Sequence, residues 1–121
     1  MEIPESAIRK FRKELNAGTV ALVLLAILER SAEPLYGYQI AKRIDVGGQG
    51  ALPMKQGTLY PVLRSMEDGD LLESRVEPSV SGPPRKYYTI TGLGRAVLGE
   101  WRQAWSQTRD FVDATLEGDV G

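Results

Sequence analysis

Apolar residues recur along this chain at two periods, and the change from one to the other divides it into elements. Ile8, Phe11 and Leu15 share one side of residues 5–15, with Arg9, Lys10, Arg12 and Lys13 around the other. That spacing predicts an N-terminal amphipathic helix over residues 1–16, with Pro4 suited to its first position. Asn16-Ala17-Gly18 predicts a break. Thr19 to Arg30 is apolar almost all round and should be the central helix of the core. A loop over Ser31 to Pro34 follows. A short helix comes next, with Tyr36, Ile40 and Ile44 as its stripe, and then a flexible Gly47-Gly48-Gln49-Gly50 connector.

The next stretch, Lys55 to Glu67, places Leu59, Val62, Leu63 and Met66 at i, i+3, i+4, i+7, the stripe of a helix docked on a core. Its outward side carries Gly57, Pro61 and Arg64, flanked by Thr58 and Tyr60. A purely solvated helix face rarely carries Gly and Pro. Pro61 is tolerable near a helix N-terminus, where little backbone donation is lost, and Gly57 lets another backbone come close. A thin, hydrogen-bonding face of this kind suits insertion into a groove.

Beyond Gly69 the period falls to two. Leu72, Ser74 and Val76 alternate with Glu73, Arg75 and Glu77, and Arg85 to Ile90 alternates again after a Ser81-Gly82-Pro83-Pro84 tip. Two such strands make a hairpin whose basic end lies beside the tip. Thr91 can cap a final helix over residues 92–117. Val97, Trp101, Ala104, Thr108, Phe111 and Thr115 form its stripe, widened by Leu98, Trp105, Val112 and Leu116. A helix that long and that broadly apolar needs a partner surface, and its length argues for another copy of itself.

Composition narrows the chemistry. With no Cys and no His among its 121 residues, the chain has no disulfides, thiol chemistry, usual zinc sets or histidine-based catalysis. The carboxylates, lysines and tyrosines that remain form no nucleophile–base pair, so an enzyme is not expected, nor any cofactor or metal. The glycine connector does not match a phosphate-cradling loop, because no strand precedes it and the G-x-G-x-x-G spacing is absent. The longest apolar run, Val20 to Leu28, falls well short of the ~20 residues of a membrane span. A cytoplasmic protein with no membrane partner is therefore expected. The formal net charge is −1, yet between Tyr36 and Ser65 Lys42, Arg43, Lys55 and Arg64 face a single acid, Asp45. Nucleic-acid binding depends on such a local basic face and not on the whole-chain sum.

Three helices followed by a hairpin is the order of a winged helix-turn-helix. The wording goes further, with Leu35-Tyr36-Gly37-Tyr38-Gln39-Ile40, Gly57-Thr58-Leu59-Tyr60-Pro61-Val62-Leu63, Gly82-Pro83-Pro84-Arg85-Lys86-Tyr87-Tyr88 and Thr91-Gly92-Leu93-Gly94-Arg95 in that order. From about Ala17 to Leu98 the chain closely resembles the PadR family of bacterial transcriptional regulators, in its compact branch with a single C-terminal dimerisation helix. Two departures fall at helix ends: Asp70 stands where relatives usually have Gly, and Gly92 where they commonly have Glu.

The resemblance implies a mostly α fold with a small β-hairpin, a winged helix-turn-helix over 17–91 (recognition helix about 55–68, wing about 71–90), and a dimerisation helix over 92–117 with a short tail, 118–121. It implies a homodimeric repressor that binds double-stranded DNA at a pseudo-palindromic operator. Lys55, Gln56 and Thr58 are placed for base edges or nearby phosphates; Tyr38, Tyr60, Arg64, Arg85 and Lys86 are expected on phosphate or, for the wing, in the minor groove. Val97, Trp101, Ala104, Thr108, Phe111 and Val112 are expected at the dimer interface. Trp101 and Trp105 carry two readings, contact with a small aromatic or drug-like effector that releases DNA, or plain packing between subunits. The alternative function is a winged helix that binds protein instead of DNA, which would need an apolar outer face on 55–67.

Overall fold

Leu24, Leu25 and Leu28 line the inner side of a long helix, α1 (Glu5–Arg30), and belong to one buried cluster that draws residues from every other element. The computed structural model describes residues 1–52 and 55–118, with the backbone alone at Gln56. Strand β1 (Leu35–Tyr36) leads into α2 (Gly37–Gly48) and α3 (Gln56–Asp68); β2 (Leu72–Glu77), β3 (Arg85–Ile90) and α4 (Gly92–Glu117) follow. Ile40 and Ile44 of α2, Leu59, Leu63 and Met66 of α3, and Leu98 of α4 converge on α1, closed below by Leu35, Leu72 and Tyr88. Burying side chains of this size is worth roughly 1.5–3 kcal/mol each, which offsets the entropy of ordering four helices.

The stripe expected for 55–67 is the one buried, whereas of the stripe expected for the C-terminal helix only Leu98 is buried and Val97 and Trp101 half-buried, the rest being exposed. The break expected at Asn16-Ala17-Gly18 is not there: α1 is continuous. Gly18 ends a helix only in the left-handed conformation, and it does not adopt that conformation here. The Thr19 hydroxyl donates to the Leu15 carbonyl at 3.0 Å. Packing of α1 on α4 outweighs the roughly 1 kcal/mol that glycine costs a helix. Tyr36 likewise leaves its expected place in the α2 stripe for β1, where it pairs with Tyr87 while Leu35 pairs with Tyr88. The hairpin thus becomes a three-stranded antiparallel sheet in the order β1-β3-β2. Two residues are too few for an alternation to show. Nor does β2 bury all of its predicted face, since Leu72 is buried but Val76, nearer the tip, is 65% exposed.

The turn from α3 into β2 accounts for one departure from the family pattern. Asp70, not Gly69, takes the left-handed conformation, with φ 61°. A short polar side chain tolerates that region better than most, which lets Asp stand where Gly is usual. The same turn anchors α4. The Thr91 amide donates to the Leu71 carbonyl (3.1 Å), and the Thr91 hydroxyl donates to the Asp70 carbonyl (2.6 Å) while accepting from the Gly94 amide (2.9 Å). Gly94 sits so close that a Cβ there would fall 2.2 Å from the Leu71 carbonyl oxygen. Among the described residues no helix is long and apolar enough to cross a membrane.

Two glycine substitutions should therefore act in opposite directions. Gly94→Ala forces backbone apart and should cost about 2–3 kcal/mol, lowering Tm by roughly 10 °C. Gly18→Ala meets nothing within 4 Å and should raise stability by about 0.5–1 kcal/mol. Calorimetry of both checks the register of α4 and the continuity of α1 together.

Candidate nucleic-acid interface

α3 presents a face that the core does not use. With Leu59 and Leu63 fully buried, helical geometry turns Gly57, Thr58, Pro61 and Arg64 outward, and all four are exposed. Lys55, also exposed, is the N-cap; it supplies no side-chain cap, and no acidic residue stands in the first turn. Among the described residues, no side chain caps the positive end of the helix dipole, which favours an anion. Gln56 opens the helix, but its side chain lies outside the described residues. Pro61 is the sixth helical residue, deeper than a first-turn position, so the bond from its missing N–H to the Gly57 carbonyl is lost.

Beside this face, the wing and the start of α2 enclose a cleft of about 550 Å³. Tyr38, Tyr60, Arg85 and Lys86 line it together with Tyr36, Gly37, Pro83 and Pro84. Four of the expected DNA-contact residues, taken from three separate elements, thus meet in one place. Lys55, Thr58 and Arg64 lie outside the cleft along α3. The tyrosines are organised by stacking: Tyr36 lies parallel to Tyr38 (centroids 6.4 Å apart) and edge-on to Tyr87 (5.4 Å). Tyr60 rests on the α2 N-terminus, where a Cβ at Gly37 would come 2.7 Å from its hydroxyl. It packs and remains 42% exposed at once, and Tyr38 remains 51% exposed. Tyr88 is buried, as core structure; burial pushes its phenol up from the ordinary value.

The cations of the face differ in what holds them. The Arg85 guanidinium lies 4.6 Å above the Tyr36 ring, an intrachain reason for its place that the sequence does not reveal. Its charge is not neutralised, since a ring face leaves the N–H edges free. Among the described residues neither Arg64 nor Lys55 has an ion-pair partner. Lys86 does: its Nζ donates to the Glu67 Oε1 at 2.8 Å, and the Ser74 hydroxyl donates to the other oxygen of the same carboxylate. Sequence reasoning misses Glu67, Ser74 and Tyr36. Positions 67 and 86 lie 19 residues apart on different elements, and only the closed hairpin joins them.

Away from this face, α1 and α4 carry a second apolar region. Trp101 and Trp105 border a groove of about 490 Å³ between α4 and the middle of α1, with Ala104 and Thr108 on one wall and Leu15, Gly18 and Leu22 on the other. The Arg102 guanidinium donates to Glu29 of α1 at 2.8 Å and pins the inner half of α4. Val97 and Trp101 are half-buried against the body. The outer half of α4 leaves Phe111, Val112 and Leu116 exposed, and the outer half of α1 leaves Ile8, Phe11 and Leu15 exposed.

Comparison with known proteins agrees with this geometry. Residues 24–100 match the model of the transcriptional regulator PadR-like family. A crystal structure of a PadR family transcriptional regulator from Eggerthella lenta is 34% identical, covering 93% of this chain and 95% of that one with a TM-score of 0.81. A transcriptional regulator of Mycobacterium tuberculosis is 36% identical over 69% of this chain and 76% of its own. The fold also matches Bacillus subtilis PadR in complex with operator DNA, at 23% identity over 69% of this chain and 47% of that one, with a TM-score of 0.62.

The Glu67–Lys86 pair sets a pH window. Its hydrogen bonds to Lys86 and Ser74 hold the Glu67 carboxyl below its ordinary value, and the same bond holds the Lys86 ammonium above its own. The depressed acid contributes stability above its unfolded pKa that is lost as pH falls through the folded one; the raised base loses its contribution as pH rises through its folded value. The stability difference between wild type and Glu67→Gln should thus be flat from about pH 5.5 to 9.5 and shrink outside it. Urea titrations at several pH values check this, and a difference that grew on acidification would contradict the assigned bond.

Proposed function

The chain belongs to the PadR-like family of transcriptional regulators, and from that premise we propose that it works as a homodimeric repressor in the cytoplasm, on a pseudo-palindromic DNA operator. The observation that carries the reading is the outer face of α3. It is exposed, has an N-terminus that no described side chain caps, and is flanked by the cleft in which Tyr38, Tyr60 and Arg85 meet. A dimer places two α3 helices in successive major grooves about 34 Å apart. Lys55, Gln56 and Thr58 then reach base edges or the phosphates beside them. Arg64, Tyr60 and Tyr38 fix the register through phosphate, and Arg85 carries the wing onto the backbone. A winged helix that binds protein would need apolar side chains where Gly57, Thr58, Pro61 and Arg64 stand, so the face favours DNA.

The second copy covers the outer halves of α1 and α4. Phe111 is 63% exposed, Val112 44%, and Phe11 and Leu15 on α1 are 63% and 48%; an apolar stripe of that extent on two neighbouring helices calls for an occupant. Val97, Trp101, Ala104 and Thr108 lie along the same side of α4, nearer the body. The tryptophan groove supports a further part of the same proposal, a flat aromatic or drug-like effector bound by Trp101 and Trp105. Such a ligand would bias the angle between α1 and α4 and with it the spacing of the two α3 helices.

Gel shifts with DNA from upstream of the protein's own gene, run at several salt concentrations, test the reading. Arg85→Ala should weaken binding to every sequence and lower the slope of log K against log salt by about one unit. An unchanged slope would remove Arg85 from the phosphate contacts. Tryptophan emission titrated with phenolic and cationic aromatic compounds tests the effector; silence across a broad panel would leave the groove to subunit packing.

A further inference from the structure

Glu67 holds a position that a DNA-binding face has no electrostatic reason to want. It sits in the last turn of α3, one turn beyond Arg64, and offers both carboxylate oxygens to the wing, one to Lys86 Nζ at 2.8 Å and one to the Ser74 hydroxyl. Its side chain is 28% exposed and that of Lys86 is 46% exposed, so the pair is wet, and wet ion pairs contribute little to stability. Its consequence lies in where it puts the ammonium. Lys86 lines the wing cleft beside Arg85 and lies near enough to Arg64 to feel its charge. Without Glu67 these three cations would repel one another and present a triple charge to any polyanion.

We propose that Glu67 is a positioning residue that occupies Lys86 in place of a DNA phosphate, so that Lys86 ties the wing to α3 and does not contact the DNA backbone. The inference rests on the DNA-binding reading above. Three polar groups face the pair, Ser74 and Tyr88 from the sheet and Arg64 from α3. None competes with Glu67 as an anion near neutral pH, since burial keeps the Tyr88 phenol protonated. The mutual shifts of Glu67 and Lys86 keep both charged there, so the tie persists under binding conditions. Each cation withdrawn from phosphate weakens binding to all sequences alike, while base-edge contacts at the other end of α3 are untouched. Glu67 therefore trims the sequence-independent, salt-dependent part of the affinity by about one phosphate contact, for operator and non-specific DNA alike.

The test is a salt titration of binding to a fluorescent mixed-sequence DNA duplex of about 30 base pairs, using full-length wild type, Glu67→Gln, Lys86→Met and the double variant. Thermal midpoints confirm that each is folded. Glu67→Gln should steepen the slope of log K against log salt by about one unit and tighten non-specific binding, because it releases Lys86 to a phosphate. Lys86→Met should keep the wild-type slope, and the double variant should return to it. A merely structural tie would not produce that pattern, since loosening the wing makes no new counterion release. A slope for Lys86→Met that fell by about one unit would show Lys86 on phosphate in the wild type and overturn the assignment. An unchanged slope for Glu67→Gln would overturn it as well. Failure of the wild type to bind the duplex at any salt would instead sink the DNA-binding reading itself.

Discussion

One turn of backbone joins the helix that faces outward to the helix that reaches away from the body. Leu71 donates to the Met66 carbonyl at the end of α3 (2.9 Å) and accepts from the Thr91 amide at the start of α4 (3.1 Å). Thr91 caps α4 with the hydroxyl that also holds Asp70. Gly94 removes the side chain that would keep the two apart. The direction of α4 relative to α3 is therefore set by hydrogen bonds and a backbone contact. If two copies pair through α4, that junction fixes the distance between their α3 helices. The wing is bound to the same junction from the other side, through Glu67 one turn earlier.

The tyrosine cluster gives the second half of the arrangement. Tyr36, Tyr87 and the Arg85 guanidinium stack where β1, β3 and α2 meet, and Tyr60 of α3 rests on Gly37. These rings occupy the seam between helices and wing, so Arg85 is carried on a packed aromatic support and not on a free chain. Pre-placed cations lose less side-chain entropy on meeting phosphate than solvated ones. For Tyr60 and Arg85, packing within the chain thus leaves the side chain exposed for a phosphate.

Long periodic segments were legible from residue order alone. The stripe Leu59, Val62, Leu63 and Met66 and the cap at Thr91 are local patterns, and local patterns survive folding when the core agrees with them. What stayed hidden depends on tertiary pairing. Two residues, Leu35 and Tyr36, carry no alternation to reveal a strand. Asn16-Ala17-Gly18 reads as a break until α4 is present to hold the helix straight. The Glu67–Lys86 bond joins residues with no periodic relation, so nothing in the residue order gives Lys86 a partner within the chain. At Asp70 the departure from the family pattern is visible in the sequence, while its left-handed backbone is not.

Hydroxyl-radical footprinting of the protein on its own upstream DNA tests the central claim most directly, that two rigidly spaced α3 helices meet one face of the duplex. The account predicts two protected backbone clusters centred about one helical turn, 10–10.5 base pairs, apart. A single protected cluster, or protections whose spacing varied from site to site, would contradict it.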